Sequence, residues 1–348
     1  MIRRRQLVAS TAACALGIPA RGQSPGRTYR IAYFGFTATN SADDDRTVAT
    51  FVDRLAELGF VQGRNLIIEW RYAEGKNERY AEFAREMVQL RADLVVTGTS
   101  TAAHAVVEAS RTMPVVTFGI NDPVRTGLVA SLAHPGGQVT GMSNFSGDLV
   151  PKRIELFKAA VPSMTKLALA RCPQCGLLSG LSPASIKGAL DRYREDAQSL
   201  GVSLFPLDIN ADTEFAAAVA LLKNETPGGV LLMPTQINAK LRGEWAQAQA
   251  NLRIPLMSDY RGSGCVLAYG PDYAAMFRRI AEFAARILNG AQAGELPMEQ
   301  PTKLEFLVDL KAARTIGLSI PQSVLLRADA FDPEPVPPKR PSNVSTAR

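Results

Sequence analysis

The stretch Thr97-Gly98-Thr99-Ser100-Thr101 sets four hydroxyl side chains around one glycine, between a β-branched run and an amphipathic segment. A turn of this kind presents the unpaired N–H groups of a helix N-terminus beside small hydroxyls, which suits a carboxylate. Gly98, Thr99 and Ser100 are therefore candidate ligand contacts, although capping by Thr99 or Ser100 would explain the same residues. Asn121-Asp122-Pro123 follows the next apolar run. There Asp122, with Asn121 beside it, could accept an ammonium or a hydroxyl, or simply cap a turn whose Pro123 is fixed at φ of about −65°. Phe36 and Thr37 end the first apolar run, where an aromatic could form a pocket wall or close a sheet edge. Thr235, Asp259 and Tyr260 occupy equivalent places later in the chain, and Asn144 ends a run near its middle.

Other chemistries find less support. Cys172-Pro173-Gln174-Cys175 has the spacing of a redox dithiol or half a zinc site, but no second cysteine pair or neighbouring histidine completes a tetrahedral centre. In an oxidising compartment a local disulfide between Cys172 and Cys175 is the favoured state, with free thiols the alternative. Cys265 falls in an apolar run and reads as a buried thiol. The only histidines, His104 and His134, lack a patterned nucleophile and acid, so a catalytic triad is not indicated. No Gly-x-x-x-x-Gly-Lys loop is present, and no basic cluster interleaved with aromatics speaks for nucleic acid. The reading calls for no enzyme activity and no cofactor.

The elements that must position these groups follow a βα rhythm. Short strands are expected over 30–36, 66–72, 93–97 and 114–118, with helices over 43–58, 78–90 and 101–110. The rhythm restarts after His134-Pro135-Gly136-Gly137, with helices over 149–160, 183–200, 214–223 and 238–249. Strands alternate with them at 166–170, 202–207, 229–233 and 254–258. Strands at 266–269 and 304–310 flank a helix over 273–288 and are too few for a third domain. The chain thus reads as two doubly wound α/β lobes, whose ligand belongs outside the carboxyl ends of the strands. With 46% hydrophobic and 21% charged residues, and mean hydropathy of −0.01, it falls in the soluble globular range. Four of the arginines behind its +6 charge lie in the first 22 residues. There Arg3-Arg4-Arg5, the apolar run Leu7 to Ile18 and small residues around Ala20 have the order of a secretory signal over residues 1–23. Arg4-Arg5 is compatible with twin-arginine or general export. Cys14 reads as incidental to the apolar run. Five prolines after Asp332 argue against regular packing over 332–348.

Six stretches in order resemble one family, the extracytoplasmic solute-binding proteins of ABC transporters in the TrpX-like branch. They are Glu57 to Asn65, Asp122 to Val129, His134 to Gly141, Tyr269 to Asp272, Leu296 to Lys303 and Gly317 to Pro321. The resemblance implies a type I periplasmic-binding-protein fold, with two Rossmann-like lobes of parallel sheet joined by crossover segments. Residues 29–143 plus about 265–297 would form one lobe, and 144–264 plus about 298–331 the other. It implies a periplasmic receptor that closes about its hinge on a small organic ligand, such as an amino acid or aromatic acid. The receptor would deliver that ligand to an inner-membrane ABC permease. A ligand-sensing module for a membrane signalling receptor is the alternative, and a thiol oxidoreductase using Cys172 and Cys175 a more distant one.

Overall fold

The computed structural model describes residues 26–36, 42–144, 147–173 and 182–332. The expected signal segment, Thr37, Cys175 and the proline-rich tail beyond Asp332 lie outside the described residues. Within them the chain builds two sheets of similar logic. The first has the order β2-β1-β3-β4-β5, from β1 (Tyr29–Gly35), β2 (Leu66–Tyr72), β3 (Leu94–Thr97), β4 (Val115–Asn121) and β5 (Val139–Asn144), all parallel. The second runs β12-β11-β10-β9-β8-β6-β7. Its strands are β6 (Lys166–Arg171), β7 (Ser203–Asp208), β8 (Gly229–Leu232), β9 (Leu256–Ser258), β10 (Leu267–Pro271), β11 (Leu304–Asp309) and β12 (Ala330–Asp332). Among the described residues only β10 and β11 pair antiparallel. The run β7-β6-β8-β9-β10 repeats the strand order of the first sheet.

Central strands are apolar on both faces because helices cover both. All four residues of β3 and of β8 are buried. Helices α1 (Ala42–Glu57) and α9 (Tyr273–Leu288) cover one face of the first sheet, and α2 (Arg79–Gln89) and α3 (Ser100–Ala109) the other. On the second sheet α4 (Val150–Ala160), α5 (Pro183–Ser199) and α10 (Leu310–Thr315) share one face. The opposite face carries α6 (Phe215–Glu225), α7 (Gln236–Lys240) and α8 (Arg242–Leu252). The helix expected over 238–249 is in fact two, broken at Leu241. β5 escapes a periodicity reading because Thr140-Gly141 breaks the apolar run. Gly141 has φ of +116°, and a Cβ there would lie 2.4 Å from the Thr117 carbonyl oxygen.

The fifth strand of each repeated set sends its helix to the other sheet. β5 leads into α4 of the second lobe, and β10 leads into α9, whose Phe277, Ile280, Phe283 and Ile287 lie in the first lobe's core. The expected division at residue 265 therefore moves. β10 belongs to the second sheet, so the return to the first lobe occurs at Asp272. Likewise Met298 packs in the first lobe, which puts the last crossover beyond it rather than at 298. The three crossings are tied together: Ser143 N–H donates to the Glu299 carbonyl at 2.8 Å, and Asp272 N–H to that of Lys303 at 3.1 Å. Arg279 holds the Glu299 carboxylate through two bonds of 2.7 and 2.5 Å.

Gly270 is where this packing is tightest, since a Cβ there would fall 1.9 Å from the Asp259 carbonyl oxygen. Gly270→Ala should lower unfolding free energy by about 1–3 kcal/mol through overpacking. Gly188 lies inside α5, and a Cβ there would meet no atom within 4 Å, so Gly188→Ala should raise stability by about 0.5–1 kcal/mol. Denaturant titration of both variants checks the pair; equal midpoints would refute the close approach at 270.

Candidate functional site

Where the two sheets face each other, the carboxyl ends of their strands enclose a cavity of about 340 Å³. Small-molecule sites commonly fall in the range of roughly 300–1,000 Å³. The first lobe contributes the ends of β1 to β4, and the second lobe the segments after β8 and β9. Pro271, Tyr273, Met276 and Phe277 enter from the crossover and the start of α9.

On the first lobe, Thr99 caps α3 from an extended conformation, its hydroxyl accepting from Ala102 N–H at 3.1 Å. Ala103 N–H is taken by the Thr99 carbonyl at 3.1 Å. Ser100 and Thr101 line the cavity, and as the first residues of α3 their N–H groups have no intrahelical partner and lie at the positive end of the helix dipole. Capping and anion binding are thus compatible here, because the cap uses the Thr99 side chain and leaves two main-chain donors. Gly98 is required beside them: a Cβ would lie 2.3 Å from the ring of Phe118, which crosses the turn. Phe118 stacks on Tyr33 with centroids 5.5 Å apart and tilts against Phe277 at 4.9 Å. These rings make an apolar floor next to the helix N-terminus.

The second lobe answers with charge. Asp259 is buried at 3% exposure and accepts a 2.7 Å bond from the Tyr273 hydroxyl. Burial, reinforced by the adjacent carboxylate, holds that hydroxyl well above the usual tyrosine range. Behind them Arg153 of α4 is fully buried and donates from Nε to the Tyr269 carbonyl at 2.8 Å. Burial pulls the Arg153 guanidinium below its ordinary value, and the Asp259 carboxylate acts against that pull. Arg242 donates from Nε to the Tyr260 hydroxyl at 2.7 Å, and burial raises the pKa of that hydroxyl. Thr235 caps α7 through a 3.3 Å bond from Asn238 N–H, while Asn238 is fixed by Trp245 and by the carbonyls of Ala170 and Met233.

Of the residues expected from sequence, Phe36, Gly98, Thr99, Ser100, Thr235, Asp259 and Tyr260 come together at the cavity. Asp122 does not line it. A φ of +40° turns the chain there, and the half-exposed carboxylate accepts from Arg125 N–H at 3.1 Å and Arg125 Nε at 2.7 Å. It is a turn cap. Asn121 and Asn144 close β4 and β5. Cys172 is buried and disulfide-bonded, and Cys175 lies outside the described residues. Burial pushes the free Cys265 thiol up to about 11, which makes it unreactive at neutral pH. Sequence reasoning missed Phe118, Arg242 and Tyr273. Tyr273 was discoverable, since it follows the Tyr269-Gly270-Pro271-Asp272 stretch at a crossover; Arg242 carries no local signal.

A family model described as ABC transporter substrate binding protein matches residues 38–331. A tyrosine-binding protein of Clostridioides difficile (strain R20291) is 25% identical over 293 residues, covering 82% of this chain and 81% of that one. Among solved structures, a conserved domain protein from Vibrio cholerae superposes with a TM-score of 0.76 at 23% identity, over 88% of this chain and all of that one. An ABC domain from Streptococcus pneumonia in complex with L-Trp gives 0.75 at 21% identity, again over 88% of this chain and all of that one. These likenesses establish the two-sheet type I periplasmic-binding fold. With the family match spanning most of its length, the chain belongs to the ABC transporter substrate-binding proteins, which bind ligands rather than transform them.

Proposed function

We propose that this protein is an exported receptor that captures an amino acid with an aromatic side chain between its lobes and delivers it to an inner-membrane ABC permease. One observation carries the reading: the cavity sets the α3 N-terminus on one lobe opposite buried Asp259 on the other, with aromatic surface between them. The main-chain N–H groups of Ser100 and Thr101 take the ligand carboxylate, and Asp259 takes its ammonium. The floor of Phe118 and Phe277 excludes water from both. Support for the side chain comes from relatives, one described as tyrosine-binding and one solved with L-Trp. Periplasmic location rests on the basic and apolar order of residues 1–23, and delivery to a permease on the family.

Calorimetry with L-tryptophan, L-tyrosine and their desamino analogues tests the assignment of the two ends. A hydrogen bond to a charged group contributes about 1.5–3 kcal/mol, so Asp259→Asn should weaken amino-acid binding by about ten- to a hundredfold. The same variant should bind the desamino acids nearly as the parent does. Because Asp259→Asn also removes the counter-charge of Arg153, titrations belong well below the variant's melting temperature. Equal losses for both ligand classes would refute the role given to Asp259.

A ligand held by groups on both lobes gains its full set of contacts only when they approach, so binding favours the closed arrangement. Small-angle scattering should show a smaller radius of gyration at saturation with the amino acid that binds. An unchanged radius would rule out hinge closure as the capture step.

A further inference from the structure

Asp259 meets the cavity with one oxygen already engaged, since its Oδ2 accepts from the Tyr273 hydroxyl at 2.7 Å. The other oxygen, Oδ1, accepts no hydrogen bond among the described residues and is not sealed in protein, so it opens on the cavity that the residue lines. Tyr273 lines the same cavity and is itself only half-buried. A phenol has one proton to give and two lone pairs to receive with, and a carboxylate can only accept. The proton between them is therefore the phenol's, and burial keeps it there by raising that hydroxyl well above the usual tyrosine range. What Tyr273 has left for a ligand is an acceptor, polarised by the bond it donates.

The other hydroxyls of the second-lobe wall are placed differently. Tyr260 stands edge-on to Tyr273 with centroids 6.3 Å apart, but its oxygen accepts from Arg242 Nε at 2.7 Å, and the guanidinium lies 5.0 Å from its ring centroid. A cation held against that ring repels a second one. Ser258 Oγ donates to Ser263 Oγ at 2.7 Å, and the Thr235 hydroxyl accepts from Asn238 N–H as the α7 cap. Asp259 and Tyr273 thus present two acceptors side by side, one charged and one neutral. A primary ammonium matches them with several N–H donors on one atom, whereas a hydroxyl has a single proton to give.

We infer that Tyr273 is a specificity-determining residue: its phenol oxygen takes a second N–H of the ligand ammonium beside Asp259 Oδ1, so that the pocket selects a primary amino acid over the α-hydroxy acid with the same side chain. This rests on the placement of the ammonium at Asp259 argued above and adds a neutral contact which that placement does not require. A hydroxy acid gives its one proton to the carboxylate and turns an oxygen lone pair toward the phenol oxygen. Two acceptors then face each other in a closed cavity with no proton between them, and an unmatched polar group of this kind discriminates strongly between close analogues.

The test is calorimetric titration with ligands that share a side chain and differ at the α position: L-tryptophan, (S)-indole-3-lactic acid and indole-3-propionic acid, with L-tyrosine and its hydroxy and desamino counterparts as a second set. Tyr273→Phe keeps the ring and its contact with Tyr260. It should weaken binding of the amino acid by about tenfold, while the hydroxy and desamino acids stay within about threefold of their parent affinities. Equal losses for the amino acid and the hydroxy acid would show that Tyr273 acts only by holding Asp259, and equal losses for all three ligands, or none, would likewise overturn the contact. The comparison is repeated in the Asp259→Asn background, where loss of the phenol strands no carboxylate and folding does not depend on their bond. There Tyr273→Phe should cost the amino acid about a further threefold or more, and no further loss would overturn the contact. These failures leave the ammonium at Asp259 intact. A parent that binds the desamino acid as tightly as the amino acid, or binds neither set, would overturn that placement and this inference with it.

Discussion

The geometry of the cleft depends on the exchange of helices at the fifth strands. β5 and β10 each end a five-strand set, and each passes its next helix to the opposite sheet. Had α9 stayed on the second sheet, the apolar face that buries Phe277, Ile280, Phe283 and Ile287 would have covered β10, and one face of the first sheet would have lost one of its two helices. Each fully buried Phe or Ile contributes about 1.5–3 kcal/mol, so the four together outweigh any local preference of the short Pro271–Asp272 link. The crossing is fixed by burial and located by hydrogen bonds, among them the Arg279–Glu299 pair and the Asp272 cap on α9. Both carboxyl edges are thereby brought to face one another at the place where strand order reverses, the general site for ligands on sheets of this kind.

Within that frame the two halves of the cavity solve different problems. The first lobe offers main-chain donors and aromatic faces, which need no compensating charge. The second lobe buries Asp259, and a buried carboxylate is tolerable only with partners. Tyr273 and Arg153 supply them, and neither comes from the strand that carries Asp259: Tyr273 opens α9 and Arg153 lies in α4, the two helices that cross between lobes. The charge of the site is thus held by the crossover helices.

Most of the fold was legible because parallel strands covered on both faces are near-continuous apolar runs. Leu94–Thr97 and Gly229–Leu232 announce themselves, and so does the amphipathic face of α9. The hydroxyl turn at 97–101 was legible for the same local reason, since a cap must follow a strand that feeds a helix. What sequence could not show was long-range. β5 depends on Gly141 lying against the Thr117 backbone, and β10 on which of two sheets it joins. Asp122 misled because an acid before proline fits a ligand contact and a turn cap equally well. Only its pairing with Arg125 separates the two.

The same contrast explains why Arg242 escaped notice. It has no neighbour in sequence that demands it, and it acquires meaning from a group on another element, the Tyr260 hydroxyl. Polar side chains that serve the fold reveal themselves by being satisfied inside it, as Asn238 does with Trp245, Ala170 and Met233. Polar side chains that serve a ligand do the opposite, because their partner is not part of the chain. In a cleft lined by both kinds, the pattern of satisfied and unsatisfied groups separates the scaffold from the binding surface. Here Asn238, locked into the second lobe, stands on the scaffold side of that boundary although it lines the cavity.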